Sequence, residues 1–397
     1  MSAGKDLTLV FLIDALGHEQ VGRGGFLDRF VAPEARPPVR SIFGFSSAVL
    51  PSIFTGRLPR EHGQWSMYRR NMGDSVFQRY RGRIRLASML RRGQWRFRQL
   101  LAAELRRGGL TGYFALYEIP LEHICLFDLC QRRNIYRAGA FDGFPSVFDR
   151  LLQERIPHRV WDWTVDADRA FVEMEEAARN GSESFLFLYT ADLDSTMHIH
   201  GPRSEATTAW LRRCDERIGR VIEAARASGR KVRLRVFGDH GMAPIRGEID
   251  IMSEVRRLPL RMPRDYVMFL DSSMARFWFH TEDARRRITD LLGPLKGGRF
   301  VSDEEMVALG VDFPDHAYGD TVFLCDPGVL ILPSFMGHEP LRGMHGYHPD
   351  DIDSYTTLLA DPPPASPPGS ILDLGSILLS DVGLTMSGPG VATVERH

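Results

Sequence analysis

Three apolar runs in this chain each stop at an acid. Residues 7–13, LTLVFLI, run into Asp14. Residues 185–190, FLFLYT, run into Asp192 and Asp194. Residues 232–237, VRLRVF, pass through Gly238 into Asp239-His240. A short continuous apolar run reads as a strand buried on both faces, as in a parallel sheet. Between the last two runs, residues 207–229 place Trp210, Leu211, Ile218, Val221, Ile222 and Ala225 at roughly helical spacing and end on Gly229, a helix stop. Strand, helix, strand is a βαβ unit. The expected fold is therefore α/β, a mostly parallel central sheet flanked by helices. Open sheets of this kind bind ligands at the carboxyl ends of their strands, which is where the three acids fall.

The chain has 397 residues, 43% of them hydrophobic, enough for one large domain or two smaller ones. The motifs assign residues 1–65, 151–250 and 341–397 to a catalytic core, with residues 66–150 and 251–340 inserted as caps. The first cap is unusual: residues 68–107 hold twelve arginines against Asp74 and Glu104, interleaved with Phe77, Tyr80, Trp95 and Phe97. The second carries strand-like pieces (YVMFLD, ARFWFH, TVFLCD) and a helical stretch, DARRRITDLLG. A Pro-rich loop at residues 361–370 precedes a last helix, and the tail from about Met386 is expected to fray.

Global charge is balanced, 50 Lys and Arg against 51 Asp and Glu, so it favours neither nucleic acid nor membrane as a partner. Four scattered cysteines with no CxxC pair exclude a disulfide framework and a thiolate zinc site. The run at residues 7–13 is too short for a signal segment or a membrane span, so a cytoplasmic protein is expected. Oligomeric state is not legible.

The acids recur with histidines: Asp14; Asp192 and Asp194 with His198 and His200; Asp239 with His240; and His345 with His348 in GMHGYHPDD. Asp194 and His198 are four apart and face the same way on a helix. A single acid after a strand is commonly a cap, and His200 and His348 read as peripheral. Jointly, carboxylate and imidazole without thiolate form a donor set that suits zinc, with manganese or iron as alternatives. Ser46 and Ser47 precede a short apolar segment ending at Thr55-Gly56. A serine there is often an ordinary N-cap, but a helix N-terminus also offers free N–H groups to phosphate, and a metal activates a hydroxyl as a nucleophile.

These motifs resemble, in order along the chain, those of the alkaline phosphatase superfamily, most closely its type I phosphodiesterase/nucleotide pyrophosphatase branch. Asp14 matches the first metal-binding acid. Ser46 lies nine residues before Thr55 of the Thr-Gly pair, in the nucleophile position, with PREHG following. DSTMHIHGP, GDHGM and GMHGY match the three later metal motifs. The resemblance implies two divalent metal ions. Asp14, Ser46, Asp239 and His240 would hold one; Asp194, His198 and His345 the other. It also implies hydrolysis of a phosphate ester through a phosphoserine. Two departures stand out: serine replaces the branch's usual threonine, and the branch's phosphoryl-contacting asparagine has no clean counterpart, leaving Arg69, Arg70 and Asn71 as candidate substrate-binding residues.

The expected function is a phosphodiesterase or nucleotide pyrophosphatase acting on a small phosphorylated substrate, such as a nucleotide or a glycan-linked phosphate. The alternatives are a phosphomonoesterase and a phosphotransferase using a non-water acceptor. A non-catalytic binder is disfavoured because all seven positions are filled, and a sulfatase because no Cys-x-Pro-x-Arg run is present. For the arginine-rich insertion the readings are a solvated face, nucleic-acid contact, an anionic membrane surface, or a cap that holds extra negative charge on the substrate. The last is preferred, since the segment directly follows the nucleophile turn.

Overall fold

A computed structural model describes residues 6–22, 25–32, 36–90 and 93–386. Its central sheet has six strands: β1 (Asp6–Ile13), β2 (Pro38–Val39), β3 (His158–Trp161), β4 (Phe185–Thr190), β5 (Lys231–Phe237) and β6 (Thr356–Asp361), in the order β2-β6-β5-β1-β4-β3. β1 pairs in parallel with β4 and β5, so that Leu9 lies opposite both Leu186 and Leu234. β3 extends the parallel set, and β6 and β2 close one edge antiparallel. The mostly parallel α/β sheet expected from the sequence is present.

β1 has no polar alternation because both its faces are covered. Leu7, Leu9, Phe11 and Ile13 pack into the cluster beneath α2 (Ala167–Asn180) and α4 (Glu205–Ala227). Val10 and Leu12 pack on the other face, with α1 (Ser46–Thr55) and α5 (Leu374–Ser380). Burying each such side chain contributes about 1.5–3 kcal/mol. α4 is the crossover helix of the predicted βαβ unit. Ser204 caps it by accepting the Thr207 N–H, and Trp210, Leu211, Ile218, Val221, Ile222 and Ala225 are buried as their spacing required. α3 (Asp192–His200) fills the turn between β4 and α4. Within β5, the buried Arg235 donates to Asp381 at 2.7 Å, pinning the chain just after α5 to the sheet. The tail beyond residue 386 lies outside the described residues.

Side chains from residues 66–150 and 251–340 share one hydrophobic cluster. Strands Tyr266–Leu270, Met274–Phe279, Thr321–Cys325 and Gly298–Phe300 form a second, antiparallel sheet in that order. Alternation along Thr321–Cys325 turns Val322 and Leu324 toward the central-sheet cluster, and Phe323 and Cys325 toward a cap cluster. The arginine-rich helices, Arg81–Ser88 and Gln94–Arg107, join that cap cluster through Ile84, Ala87, Leu101 and Leu105. Ile135, Tyr136 and Phe148, later in the 66–150 stretch, pack instead on the central-sheet cluster.

Candidate active site

Asp14 directly follows β1, Asp194 and His198 lie on α3 after β4, and Asp239-His240 follow β5. Because β4, β1 and β5 are adjacent and parallel, their carboxyl ends bring these residues to one edge. Glycine flanks the Asp-His pair for a steric reason. A Cβ at Gly238 would lie 2.5 Å from the Leu16 carbonyl oxygen, and one at Gly241 would lie 2.1 Å from that of Asp353. The loops after β1 and before β6 thus pass directly over the pair. Ala15 adopts a left-handed conformation (φ 62°), which costs about 1–2 kcal/mol for a residue with a Cβ. Its N–H then donates to Asp239 Oδ1 at 3.0 Å, and the His240 N–H donates to the same oxygen.

Two groups of electron-pair donors converge here. In one, His240 Nε2 lies 3.3 Å from Asp239 Oδ2 and 3.5 Å from Asp14 Oδ1. In the other, His198 Nε2 and His345 Nε2 lie 3.2 Å and 3.5 Å from Asp194 Oδ1. Asp194 is also close enough to Asp14 and His240 to serve both groups. The tautomers follow from the far ring nitrogens. His240 Nδ1 donates to the Gly241 carbonyl at 2.9 Å and His198 Nδ1 to that of Gly343 at 2.8 Å, so Nε2 of each ring faces the carboxylates and offers a lone pair whenever the ring is neutral. The His240 and His345 rings stack at 3.8 Å.

These residues fit a cation. Asp194 Oδ1 and Asp239 Oδ2 are buried and have no hydrogen-bond donor, although buried carboxylate oxygens are normally satisfied. Lone pairs and carboxylates facing one another at 3.2–3.5 Å need positive charge between them. Protonation equilibria carry the same signature. Burial, then Asp239 and Asp194, push the Asp14 carboxyl well above the usual carboxylate range, against a hydrogen bond from Tyr189. Burial would raise Asp194 too, but His198, with His345 and His240, outweighs it and holds that carboxyl far below the range. Burial and the neighbouring His240 hold His345 well below an ordinary imidazole.

Ser46 is the first residue of α1, and the N-cap position before it is Phe45, which has no capping side chain. Ser46 Oγ lies 3.0 Å from His240 Nε2 and 3.5 Å from Asp14 Oδ1, so the hydroxyl faces the ligand cluster. The adjacent Ser47 Oγ is buried without a partner. Beneath α1, the His62 ring of the PREHG turn accepts the Gln64 N–H on Nδ1, which leaves Nε2–H to donate to Ser52 Oγ at 2.8 Å. Burial lowers the His62 pKa to about 3, so this support stays neutral.

A cavity of about 900 Å³ opens from Ser46. Phe45, Tyr113, Tyr117, Tyr136 and Trp163 contribute rings, and residues 330–332 and Met336 add aliphatic surface. Its acids beyond the ligands are Glu118, Asp271 and Glu339, with His338 as an added histidine; no lysine or arginine lines it among the described residues.

The structure does not bring Arg69, Arg70 and Asn71 to this cavity. They lie on or just after a strand, Tyr68–Arg70, that pairs with Phe127–Leu129, and this pairing directs their side chains. Arg69 pairs with the buried Asp128 at 3.1 Å, Arg70 donates to the Leu126 carbonyl, and Asn71 donates to that of Cys125 while accepting the Gly73 N–H. His200 is exposed, and His348 pairs with Glu305 outside the cluster. Sequence reasoning missed Tyr189, whose hydroxyl donates to Asp14 Oδ2 at 2.5 Å. Its signal was a polar-tipped ring one residue before the end of an otherwise apolar strand. The cavity's aromatic wall had no such signal.

A serine at a helix start, facing carboxylates and imidazoles at the carboxyl edge of an α/β sheet, is the constellation of a metal-dependent phosphoester hydrolase. Comparison with known families narrows the class. The family model for type I phosphodiesterase / nucleotide pyrophosphatase matches residues 8–348, and the chain belongs to that family, within the alkaline phosphatase superfamily. It is thus a hydrolase acting on phosphate esters. No curated protein sequence matches it. Among solved structures, murine ectonucleotide pyrophosphatase/phosphodiesterase 5 is similar at a TM-score of 0.67 and 15% identity, over 98% of each chain. An inactive variant of that murine protein in complex with AMP gives the same TM-score and identity over 98% of this chain and 97% of that one. The human counterpart gives 0.67 and 14% over the same shares. At such identities the likeness is one of fold.

Proposed function

We propose that this chain hydrolyses a phosphodiester through a covalent phosphoserine on Ser46, at a centre for two divalent cations. Asp14, Ser46, Asp239 and His240 would hold one cation, and Asp194, His198 and His345 the other. Zinc suits these donors, and manganese or iron are the alternatives. Bound cations would offset the negative charge of the phosphoryl group and ease loss of the serine proton. The observation that carries the reading is the Ser46 hydroxyl, 3.0 Å from His240 Nε2 and 3.5 Å from Asp14 Oδ1. Ser46 Oγ forms a bond to phosphorus as the bond to the leaving alcohol breaks, and the serine proton ends on that alcohol. Water then breaks the Oγ–P bond, restores the serine and releases a phosphomonoester. At the start of α1 the Ala48 and Val49 N–H groups already donate to the Phe45 carbonyl, which leaves the Ser46 and Ser47 N–H groups to receive phosphoryl oxygens.

The cavity lining supports a narrower substrate. Rings and aliphatic groups favour an apolar or aromatic ester group, and an AMP-like half, with one phosphate and one base, suits them. A second phosphate would meet the acids Glu118 and Glu339, with no lysine or arginine lining the cavity among the described residues. The test is a hydrolysis panel with added zinc or manganese. Singly charged aryl and nucleoside phosphodiesters are expected to exceed nucleoside triphosphates and nucleotide sugars in kcat/KM by at least about tenfold, the equivalent of about 1.4 kcal/mol. Preference for the polyphosphates would overturn the substrate reading. Purified chain without bound metal and with chelator-resistant activity would overturn the metal centre.

A further inference from the structure

The arginine-rich segment leaves several large apolar side chains uncovered. Helix Arg81–Ser88 buries Ile84 and Ala87, and helix Gln94–Arg107 buries Arg98, Leu101 and Leu105. Within and just after the first helix and along the second, Leu86, Met89, Leu90, Trp95 and Leu100 are each more than half exposed. Twelve large hydrophobic residues are exposed among the described residues, and five of them fall within these fifteen positions, so the exposure is concentrated rather than scattered. The same stretch is strongly basic. No acid occurs between Asp74 and Glu104, and Glu104 is itself engaged by Arg83. Arg81, Arg85 and Arg96 are exposed and form no ion pair among the described residues. The chain as a whole carries a formal net charge of only −1, so this is a local field.

We infer that this pair of helices docks on an anionic lipid surface, its exposed apolar side chains entering the headgroup boundary and its arginines meeting the lipid phosphates. Charge complementarity selects the partner: a basic flank around exposed Leu, Met and Trp side chains is the composition that lies in a membrane interface. Four of the five exposed side chains are aliphatic and offer no face for base stacking, so the flank is poorly matched to single-stranded nucleic acid. No described helix is long and apolar enough to cross a membrane, so the contact is peripheral.

The experiment is vesicle sedimentation of the full chain with phosphatidylcholine alone and with one quarter phosphatidylglycerol. Binding is expected only to the anionic vesicles and should weaken with salt. At about 1 kcal/mol per arginine, R85A with R96A should lower the vesicle partition about thirtyfold. L86S with L90S should also release the chain. Hydrolysis of a soluble phosphodiester should be unchanged in both, since none of these residues lines the cavity. Trp95 emission should shift to the blue on anionic vesicles and the shift should vanish in W95F. No binding to either vesicle would overturn the inference. So would binding to single-stranded DNA that survives L86S with L90S, which assigns the flank to nucleic acid. Self-association of the chain alone, broken by L86S with L90S, would also overturn it by assigning the flank to a second copy.

Discussion

Ser46 and Arg69 lie close together in the chain, yet only Ser46 belongs to the cluster at the sheet edge. Most residues of that cluster come directly after a parallel strand or on the helix that follows it, so the strand order of the sheet sets where their side chains meet. The arginine-rich cap has no such frame. Arg69 is held by Asp128, Arg98 by the Ile119 carbonyl and Arg83 by Glu104, and others face solvent. The difference teaches that nearness in sequence to a nucleophile turn places a residue near the reaction only when a strand end fixes the direction of the chain. In the cap, an antiparallel pairing with Phe127–Leu129 turned the arginines aside.

The sharpest way to break this contrast is at the serine. S46A is expected to lower kcat by at least about 1,000-fold, because a nucleophile and its activating charges act as a unit. Cation binding by calorimetry should persist, since six other donors remain. S47A should keep activity within about tenfold, its Oγ being buried without a partner. The reverse pattern would shift the nucleophile by one residue.

A smaller effect should come from His62 beneath α1. Its folded pKa of about 3 lies below the ordinary imidazole value, so between those values the unfolded chain binds the extra proton. The support is fully present above about pH 6.5 and is lost as pH falls, amounting to about 2 kcal/mol by pH 5. Denaturant titrations at pH 7 and pH 5 should show this loss, and H62Q should flatten it. An unchanged pH slope in H62Q would show that the serine helix rests on other contacts.

The smallest effect tests the cap. R69A should cost about 1–2 kcal/mol of stability through weaker pairing of the buried Asp128, which Arg132 still meets at 2.6 Å. It should leave KM for every substrate unchanged. A tenfold rise in KM confined to multiply charged substrates, with stability intact, would restore the cap arginines as substrate ligands and erase the contrast.

The sequence by itself determined the catalytic edge because its signals were local. Apolar runs ending in acids mark parallel strands and their carboxyl ends. The four-residue step from Asp194 to His198 is a helix repeat. Tertiary structure alone decided what surrounds that edge. Tyr189 meets Asp14, Ala15 takes a strained turn to reach Asp239, and the cavity rings come from residues as distant as Phe45, Tyr113 and Trp163. Such contacts depend on how segments far apart in the chain pack together in space, an outcome of side-chain shape and burial that no periodicity encodes. Strand ends are set by neighbours along the chain, whereas cavity walls are set by neighbours in space.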